Sequence, residues 1–552
     1  MNHVRRTVLA VGVIALCSLA GPAPLVAQRP AAAPKLVVVL VADQMRTDYL
    51  DRFSADLTGG LRRLAHDGAF FVEGAYQYLN TVTCPGHATI GTGANPYRHG
   101  MILNAWIDRR TGLSRGCTED PTVTPVSYGT PAALAEGPKD LLVATLADQL
   151  RERADGRVVS MSLKPRSAIV LAGRKGDAVV WFDDKATWAT SSAYTKTPVP
   201  FVQQFITANP VSADLNKVWE LSLPADRYRN TDEGVGEKPP GNWTKMFPHP
   251  LSATGKPDSA FYTRWKASPY ADEYLGRMAA AAVDALKLGR GEGVDFLGVS
   301  FSTLDSVGHA FGPDSHEVHD IVVRLDRTIG RLLDHLDAAV GKDSYVVAFS
   351  SDHGVAPIPE QTRGAGRLGA RPVLEAIDAA LVPLWGPGQY AAISAYTDIY
   401  LAAGVLDRLR EDRQARDAVL FALRGMTGIA QAFTADELDS GSARTSSDLV
   451  KRAAALSFHR ERSGDIIIVP RENWILSTAA TTHGTLYPYD ARVPVIFLGA
   501  GVRAGRHQSA ASPADIAPTL AALARVRFDR QDGRVLTDAI AKAAAATAGR
   551  VQ

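Results

Sequence analysis

Cysteine is nearly absent: three residues in 552, too few for a cysteine-stapled scaffold. An excess of charge of one sign is missing too. Lys and Arg number 60 against 58 Asp and Glu, and no basic block stands out along the chain. The electrostatic footprint of a nucleic-acid binder is therefore lacking, and no nucleic acid is expected as a partner. Beyond the N-terminal leader no stretch reads as a transmembrane helix, which leaves no stable membrane span after processing. There is no internal repeat and no long low-complexity segment. What is present is ordinary globular composition, 46% hydrophobic and 21% charged. The length supports a large core, as one big domain with insertions or as two to three domains.

The N-terminus carries an address. Arg5 and Arg6 precede the apolar run TVLAVGVIALCSLA, and GPAPLVAQ follows with a small residue at Ala27. This is the pattern of a secretory signal peptide, read as residues 1–27. The run is short against the ~20 residues of a span, which argues for cleavage over an uncleaved anchor. Leu16 stands before Cys17 where a lipoprotein signal would carry a small residue. The mature protein is expected in the periplasm or secreted. Cleavage leaves Cys84 and Cys117, an even count in an oxidising compartment. Sequence leaves open whether the two lie close enough to pair.

After an Ala/Pro linker at 28–34 comes KLVVVLVAD, a continuous β-branched run ending in Asp43. Such runs read as strands buried on both faces of a parallel sheet. RVVSMSL (157–163), DFLGVSF (295–301), SYVVAFSSD (344–352), DIIIVP (465–470) and VPVIFLG (493–499) repeat the pattern. Helical periodicity lies between them, in residues 315–339 with a charged opposite face, and in ADIAPTLAALARV at 514–526. The alternation predicts an α/β fold with a doubly wound, mostly parallel sheet sandwiched by helices. That domain is read as 35–530, with capping insertions around 170–290 and 360–480 and a tail at 531–552.

In open α/β sheets ligands bind beyond the carboxyl ends of the strands. Asp43 follows the first run; Asp305 and His309 follow the third; Asp352 and His353 follow the fourth; His483 lies in TTHGT, before the last. Asp305 and His309 are four apart, on one helical face. Taken singly, each is as well explained as a turn former or a cap. Together, three carboxylates and three imidazoles at one edge of the sheet suffice for two metal ions with open positions, the arrangement that clamps both oxygens in phosphoryl transfer. His316 and His319 are expected on the solvent face of their helix, and His66, His335, His459 and His507 on the surface. His87 and His99 are expected beside the site in supporting roles.

In NTVTCPGHATIGTG (80–93), Thr83 and Cys84 precede a Pro-Gly turn that opens a helix. A helix N-terminus favours an anion, both an alkoxide and an incoming phosphate. A nearby divalent cation lowers the hydroxyl pKa further. Thiolate chemistry suits an oxidising compartment poorly, so Thr83 is the candidate nucleophile. From this stretch alone it reads equally well as a plain helix cap; the ligand residues elsewhere tip the balance.

These motifs carry a resemblance. VADQMRTDYL, NTVTCPGHATIGTG, Asn104 in GMILNAW, SLKPRSA, LDSVGH, SDHG and the late THG stand in the order found in the alkaline phosphatase superfamily. The chain most resembles its single-chain, periplasmic PafA-type and PhoK-type bacterial members. The resemblance implies that Thr83 forms a phosphothreonine intermediate and also coordinates one of two Zn2+ ions. It implies Asp305, His309 and His483 for one zinc, and Asp43, Asp352 and His353 for the other. It further implies that Asn104, Lys164 and Arg166 contact the phosphoryl oxygens. A monoester dianion offers three non-bridging oxygens to such donors, whereas a diester gives up one of them to its second substituent. Cys84 is followed by PGH without the arginine of the sulfatase C-x-P-x-R pattern, which argues against a sulfatase. The expectation is an exported zinc-dependent alkaline phosphatase, a monomer acting on small-molecule phosphate monoesters. A nucleotide pyrophosphatase/phosphodiesterase on the same scaffold is the nearest alternative, and a phosphate-capturing pseudoenzyme a more distant one.

Overall fold

Every side chain of the first strand, β1 (Leu36–Ala42), is buried. Alternate residues feed two different cores. Leu36, Val38 and Leu40 enter one apolar cluster, and Val37, Val39 and Val41 enter the other. A strand buried on both faces must lie inside a sheet covered by helices on each side. The computed structural model, which describes residues 33–529 and 531–541, has that arrangement. The leader at 1–27, most of the linker at 28–34 and the end of the tail at 531–552 lie outside the described residues.

In chain order the main sheet contains β1, β2 (Ala69–Phe71), β3 (Pro125–Ser127), β4 (Val158–Ser162), β5 (Ala178–Phe182), β6 (Trp188–Ser191), β7 (Asp295–Phe301) and β8 (Tyr345–Ser350). A separate sheet then takes β9 (Ala391–Ala395), β10 (Asp398–Leu401), β11 (Ile429–Thr434) and β12 (Ile466–Pro470). The main sheet is completed by β13 (Val495–Gly499) and β14 (Gly505–His507). Its order is β14-β2-β13-β8-β1-β7-β4-β5-β6-β3. The central run β8-β1-β7-β4-β5 is parallel throughout, and antiparallel strands flank it on both sides.

Among the helices that cover the faces of this sheet or stand at its edge are α1 (Thr83–Thr92), α2 (Pro165–Ala172), α3 (Pro269–Leu286), α4 (Thr303–Phe311), α5 (His316–Ala339) and α6 (Ile516–Ala524). α3 and α5 cover the face that receives Val38 and Leu40. α2 and α6 cover the opposite face. The mixed, mostly parallel sheet between two helical layers is the doubly wound fold that the alternating pattern predicts.

Four placements differ from the sequence reading. DIIIVP forms β12, but at the centre of the smaller antiparallel sheet, in the order β9-β10-β12-β11, and not in the main sheet. The physical reason is that this strand too is buried on both faces: Ile466 and Ile468 enter the small sheet's own core, while Ile467 and Val469 enter another cluster. VPVIFLG lies in the main sheet but runs antiparallel to β8. His316 and His319 are buried, at 8% and 4% exposure, and not on a solvent face. The aromatic-rich segment after β6 folds over α5: His319 stacks on Phe53 at 4.1 Å and lies 4.9 Å from the ring of Tyr228. The same cover buries His249, whose Nε2 lies 2.9 Å from Glu317 Oε1. Within 170–290, β5 and β6 are strands of the main sheet, so the cap proper begins after Ser191.

Candidate active site

Four neighbouring parallel strands, β8, β1, β7 and β4, end at the same edge of the sheet, and each hands over a polar residue there. Asp43 follows β1 directly, Asp352 and His353 follow β8 by two and three residues, and Lys164 follows β4. β7 leads straight into α4, whose first turns carry Asp305 and His309 on one face. His483 reaches the site on the loop before β13. This is the crevice at the carboxyl ends of the strands where α/β sheets bind ligands.

Two residue groups have the make-up and proximity of metal sites. Asp305, His309 and His483 form one; Asp43, Asp352 and His353 form the other. In each, the ligand atoms lie within 4.8 Å of one another. In the first, Asp305 Oδ1 is 3.2 Å from His309 Nε2 and 3.6 Å from His483 Nε2. In the second, His353 Nε2 is 3.4 Å from Asp43 Oδ1 and 3.3 Å from Asp352 Oδ2. The rings of His353 and His483 stack at 3.4 Å, so the two groups are contiguous.

The tautomers follow from the remaining contacts. Nδ1 of His309 faces the carbonyl of Thr481, Nδ1 of His353 that of Gly354, and Nδ1 of His483 that of Thr81, at 2.9 to 3.0 Å. Each Nδ1 must donate there, which makes Nε2 a bare lone pair in the neutral ring. Those lone pairs face carboxylate oxygens. Lone pair against lone pair is repulsive, and a divalent cation between them turns the contact into two coordinate bonds. Asp43 Oδ1 is buried without a hydrogen-bond donor, as an oxygen that ligates a cation would be, and Asp352 Oδ2 lies 3.2 Å from His87 Nδ1. The donor set present therefore fits a pair of divalent metals.

Thr83 is the first residue of α1, and its hydroxyl lies 3.4 Å from His353 Nε2, beside the second group. Val82 before it is extended, so the chain turns into the helix at the hydroxyl itself. α1 is buried along its whole length and can approach Asp352 only because residue 86 is glycine. A Cβ there would come within 2.2 Å of the Asp352 carbonyl oxygen. His87, one turn on, lies with Nδ1 at 2.9 Å from the Thr83 carbonyl and Nε2 at 2.7 Å from the Ser300 hydroxyl. It stands beside the site and outside both ligand groups.

Cys84 is disulfide-bonded to Cys117, with Cα atoms 6.8 Å apart. Between the two half-cystines, Asn104 is held at two points. Its side-chain Oδ1 accepts from the Cys84 N–H at 2.8 Å, and its main-chain oxygen accepts from the Cys117 N–H at 2.9 Å. With Oδ1 so occupied, the Nδ2 amino group is the free end of the amide.

Lys164 Nζ donates to Asp43 Oδ2 and to Asp305 Oδ2, each at 2.6 Å, and so joins the two groups. Burial pushes the Asp43 carboxyl up, and the charges of Asp305 and Asp352 add to this; Lys164 opposes them. Burial acts on Asp305 in the same sense, but Lys164 and His309 outweigh it and hold Asp305 well below the usual carboxylate range. Burial of Lys164 is likewise outweighed by Asp305 and Asp43, which raise its pKa. Arg166, in the first turn of α2, makes no hydrogen bond among the described residues, and its buried Nε lacks an acceptor. Glu136, itself buried with an unpartnered Oε2, acts on Arg166 electrostatically.

While His99, expected beside the site, pairs with Thr89 further along α1, the candidate ligands, nucleophile and phosphoryl donors thus stand at one edge. Two that were not singled out stand with them. Gln44 bridges the carboxylates of the two groups. Tyr396, at the turn between β9 and β10, donates its hydroxyl to the His483 carbonyl. Neither has a spacing signal, because each acts through a turn: both carry a positive φ, 70° and 56°. The small sheet therefore reaches the site at His483. There the Tyr396 ring packs on Gly484, where a Cβ would come within 2.6 Å of it.

The family described as type I phosphodiesterase / nucleotide pyrophosphatase matches residues 37–488. Over nearly its full length the chain is similar to the alkaline phosphatase PafA of Elizabethkingia meningoseptica, 31% identical over 521 residues, 92% of this chain and 95% of that one. It is equally similar to the alkaline phosphatase PhoK of Sphingomonas sp, 31% identical over 546 residues, 91% of each chain. A crystal structure of wild-type PafA superposes with a TM-score of 0.83 at 30% identity, over 92% of this chain and 99% of that chain. The chain belongs to the alkaline phosphatase superfamily, in its PafA- and PhoK-type branch, and is a hydrolase of that type.

Proposed function

We propose that the protein is an exported, zinc-dependent phosphomonoesterase that works through a phosphothreonine on Thr83. The observation that carries the metal assignment is the spacing of the ligand atoms. Two ligands at ~2.0–2.1 Å from a tetrahedral zinc stand roughly 3.4 Å apart. The four Nε2–oxygen separations, 3.2 to 3.6 Å, bracket that value. Three imidazoles among six ligands favour zinc over calcium or magnesium, which prefer oxygen.

Bound zinc would supply Lewis-acid stabilisation of the threonine alkoxide and of the leaving oxygen. Asp43, Asp352, His353 and Thr83 itself would hold one ion; Asp305, His309 and His483 would hold the other. Thr83 Oγ attacks phosphorus in line, the ester oxygen departs, and water then cleaves the phosphothreonine to release phosphate. The amino group of Asn104, turned outward because its oxygen is engaged by Cys84, donates to a phosphoryl oxygen. Lys164 and Arg166 bring positive charge to the others, which suits the dianion of a monoester. The leader at 1–27 assigns export, and the mature protein is read as a monomer acting on small phosphate esters.

The matched family's description names phosphodiesterases, and that observation keeps a second reading alive: the same metals and nucleophile with a diester as substrate. Parallel kcat/KM measurements on p-nitrophenyl phosphate and bis-p-nitrophenyl phosphate, with zinc-loaded protein, separate the two. A strong monoester preference is expected. A diester preference would move the protein to the phosphodiesterase reading with the metal assignment intact, and phosphate binding without turnover would indicate a pseudoenzyme.

A further inference from the structure

We infer that Gln44 is a positioning residue that sets the relative placement of the two metal ions, by holding one carboxylate from each ligand group. The inference rests on the two-metal reading above.

Gln44 follows Asp43 and is buried, at 1% exposure. Its φ of 70° puts it in the left-handed region, uncommon for a residue with a side chain. That turn sends its two donors in different directions. The main-chain N–H donates to Asp352 Oδ1 at 3.1 Å. The side-chain Nε2 donates to Asp305 Oδ1 at 2.8 Å. Asp305 is then gripped at both oxygens, by Gln44 at Oδ1 and by Lys164 at Oδ2. A carboxylate held at both ends does not rotate, so the direction of its remaining lone pairs is fixed.

Two further observations say that the amide is there for this contact and not for packing. Its Oε1 is buried without a donor. An orphaned acceptor is unfavourable, and an apolar side chain of the same shape would avoid it, so what retains the amide is the bond made by Nε2. The room for it is provided by Gly308, a helix-interior glycine of α4 between Asp305 and His309. A Cβ at 308 would lie 1.7 Å from Gln44 Oε1. Glycine is a poor residue for the middle of a helix, and the approach of Gln44 accounts for it.

Gln44→Gly is the discriminating variant. Glycine adopts φ 70° freely and keeps the N–H that serves Asp352, so only the amide contact to Asp305 is lost. The experiment removes zinc from the intact protein by graded chelator competition and follows the metal remaining by elemental analysis. Thermal unfolding of the chelated protein runs alongside. Wild type is expected to release two equivalents. In Gln44→Gly one equivalent is expected to weaken about 10- to 100-fold and the other to hold, with the chelated protein melting no lower than wild type. Gly308→Ala, which leaves Gln44 present but displaces its amide, is expected to weaken the same equivalent. In a His483→Ala background, Gln44→Gly should add nothing to the metal already lost. Wild-type affinity for both equivalents in Gln44→Gly, or equal weakening of both, would overturn the inference. A wild-type protein that holds fewer than two zinc ions would overturn the two-metal reading itself, and the inference with it.

Discussion

The three candidate ligand histidines present Nε2 to the site for a common reason: a main-chain carbonyl accepts a hydrogen bond from Nδ1–H. Residue by residue, the same economy of partners favours Thr83, whose hydroxyl has only His353 Nε2 within hydrogen-bonding distance among the described residues. Thr83→Ala is expected to lower kcat/KM for p-nitrophenyl phosphate by at least ~10⁴-fold, as loss of a covalent nucleophile does elsewhere, while Thr83→Ser retains measurable turnover and still accumulates a phosphorylated residue detectable by mass spectrometry. Wild-type rates in Thr83→Ala would reject the assignment. The residues at this scale that sequence revealed are those standing just past a strand: Asp43, Asp305 and Asp352 could be found by asking what each apolar run ends on. His483, on a loop, could be found from TTHGT ahead of the last apolar run, whereas Asn104, Lys164 and Arg166 were legible through the family resemblance. Gln44 and Tyr396 gave no signal, since a left-handed turn has no periodicity and neither residue type announces a ligand partner.

Among the elements, α1 decides how close the Thr83 hydroxyl comes to the second ligand group. Its approach to Asp352 depends on Gly86, where an added Cβ would fall 2.2 Å from a main-chain oxygen and 2.6 Å from the Asp352 Cβ. Neither atom belongs to the far end of a flexible side chain, so the helix must back away. Gly86→Ala is expected to leave a folded protein with kcat lowered by roughly 10²-fold, the effect of misplacing a reacting group by about 1 Å. Steady-state kinetics with circular dichroism on the same sample checks this, and unchanged kcat would show that α1 has slack. At this scale the apolar runs placed the main strands well, because a strand sealed on both faces reads as one unbroken run. The same rule misassigned β12: a central strand of a small sheet with cores on both sides carries the same signature. Likewise the charged face of α5 does not reveal that an inserted cap lies over it and buries His316 and His319.

For the molecule as a whole, stability against pH turns on buried acids, and one with a large shift lies under the inserted cap. Glu317 is pushed up to about 9 from an ordinary 4.5, first by burial and then by the charges of Asp232 and Glu237. Between those values the folded chain holds a proton that the unfolded chain has lost, so this group's stabilisation is full below 4.5 and declines as pH rises toward 9. His249 beside it is pushed down to about 4 by burial, and its opposing contribution is complete once pH exceeds the ordinary 6.5. Glu237, Asp272 and Asp490, each raised to about 7 chiefly by burial, act below that value. Above pH 7 Glu317 still contributes slope, beside Asp43, which burial also raises well above the usual carboxylate range. The urea midpoint of the metal-free protein is expected to fall from pH 7 to pH 9, and Glu317→Gln to flatten that fall. An equal slope in the variant would place the ionisation elsewhere.

The bond between Cys84 and Cys117 closes a covalent ring that starts at the second residue of α1. Asn104 lies inside that ring, tied to the N–H groups of both half-cystines. Two free thiols would leave its place beside Thr83 to those hydrogen bonds alone. A reductant is therefore expected to loosen this corner first, while the sheet beneath it stands.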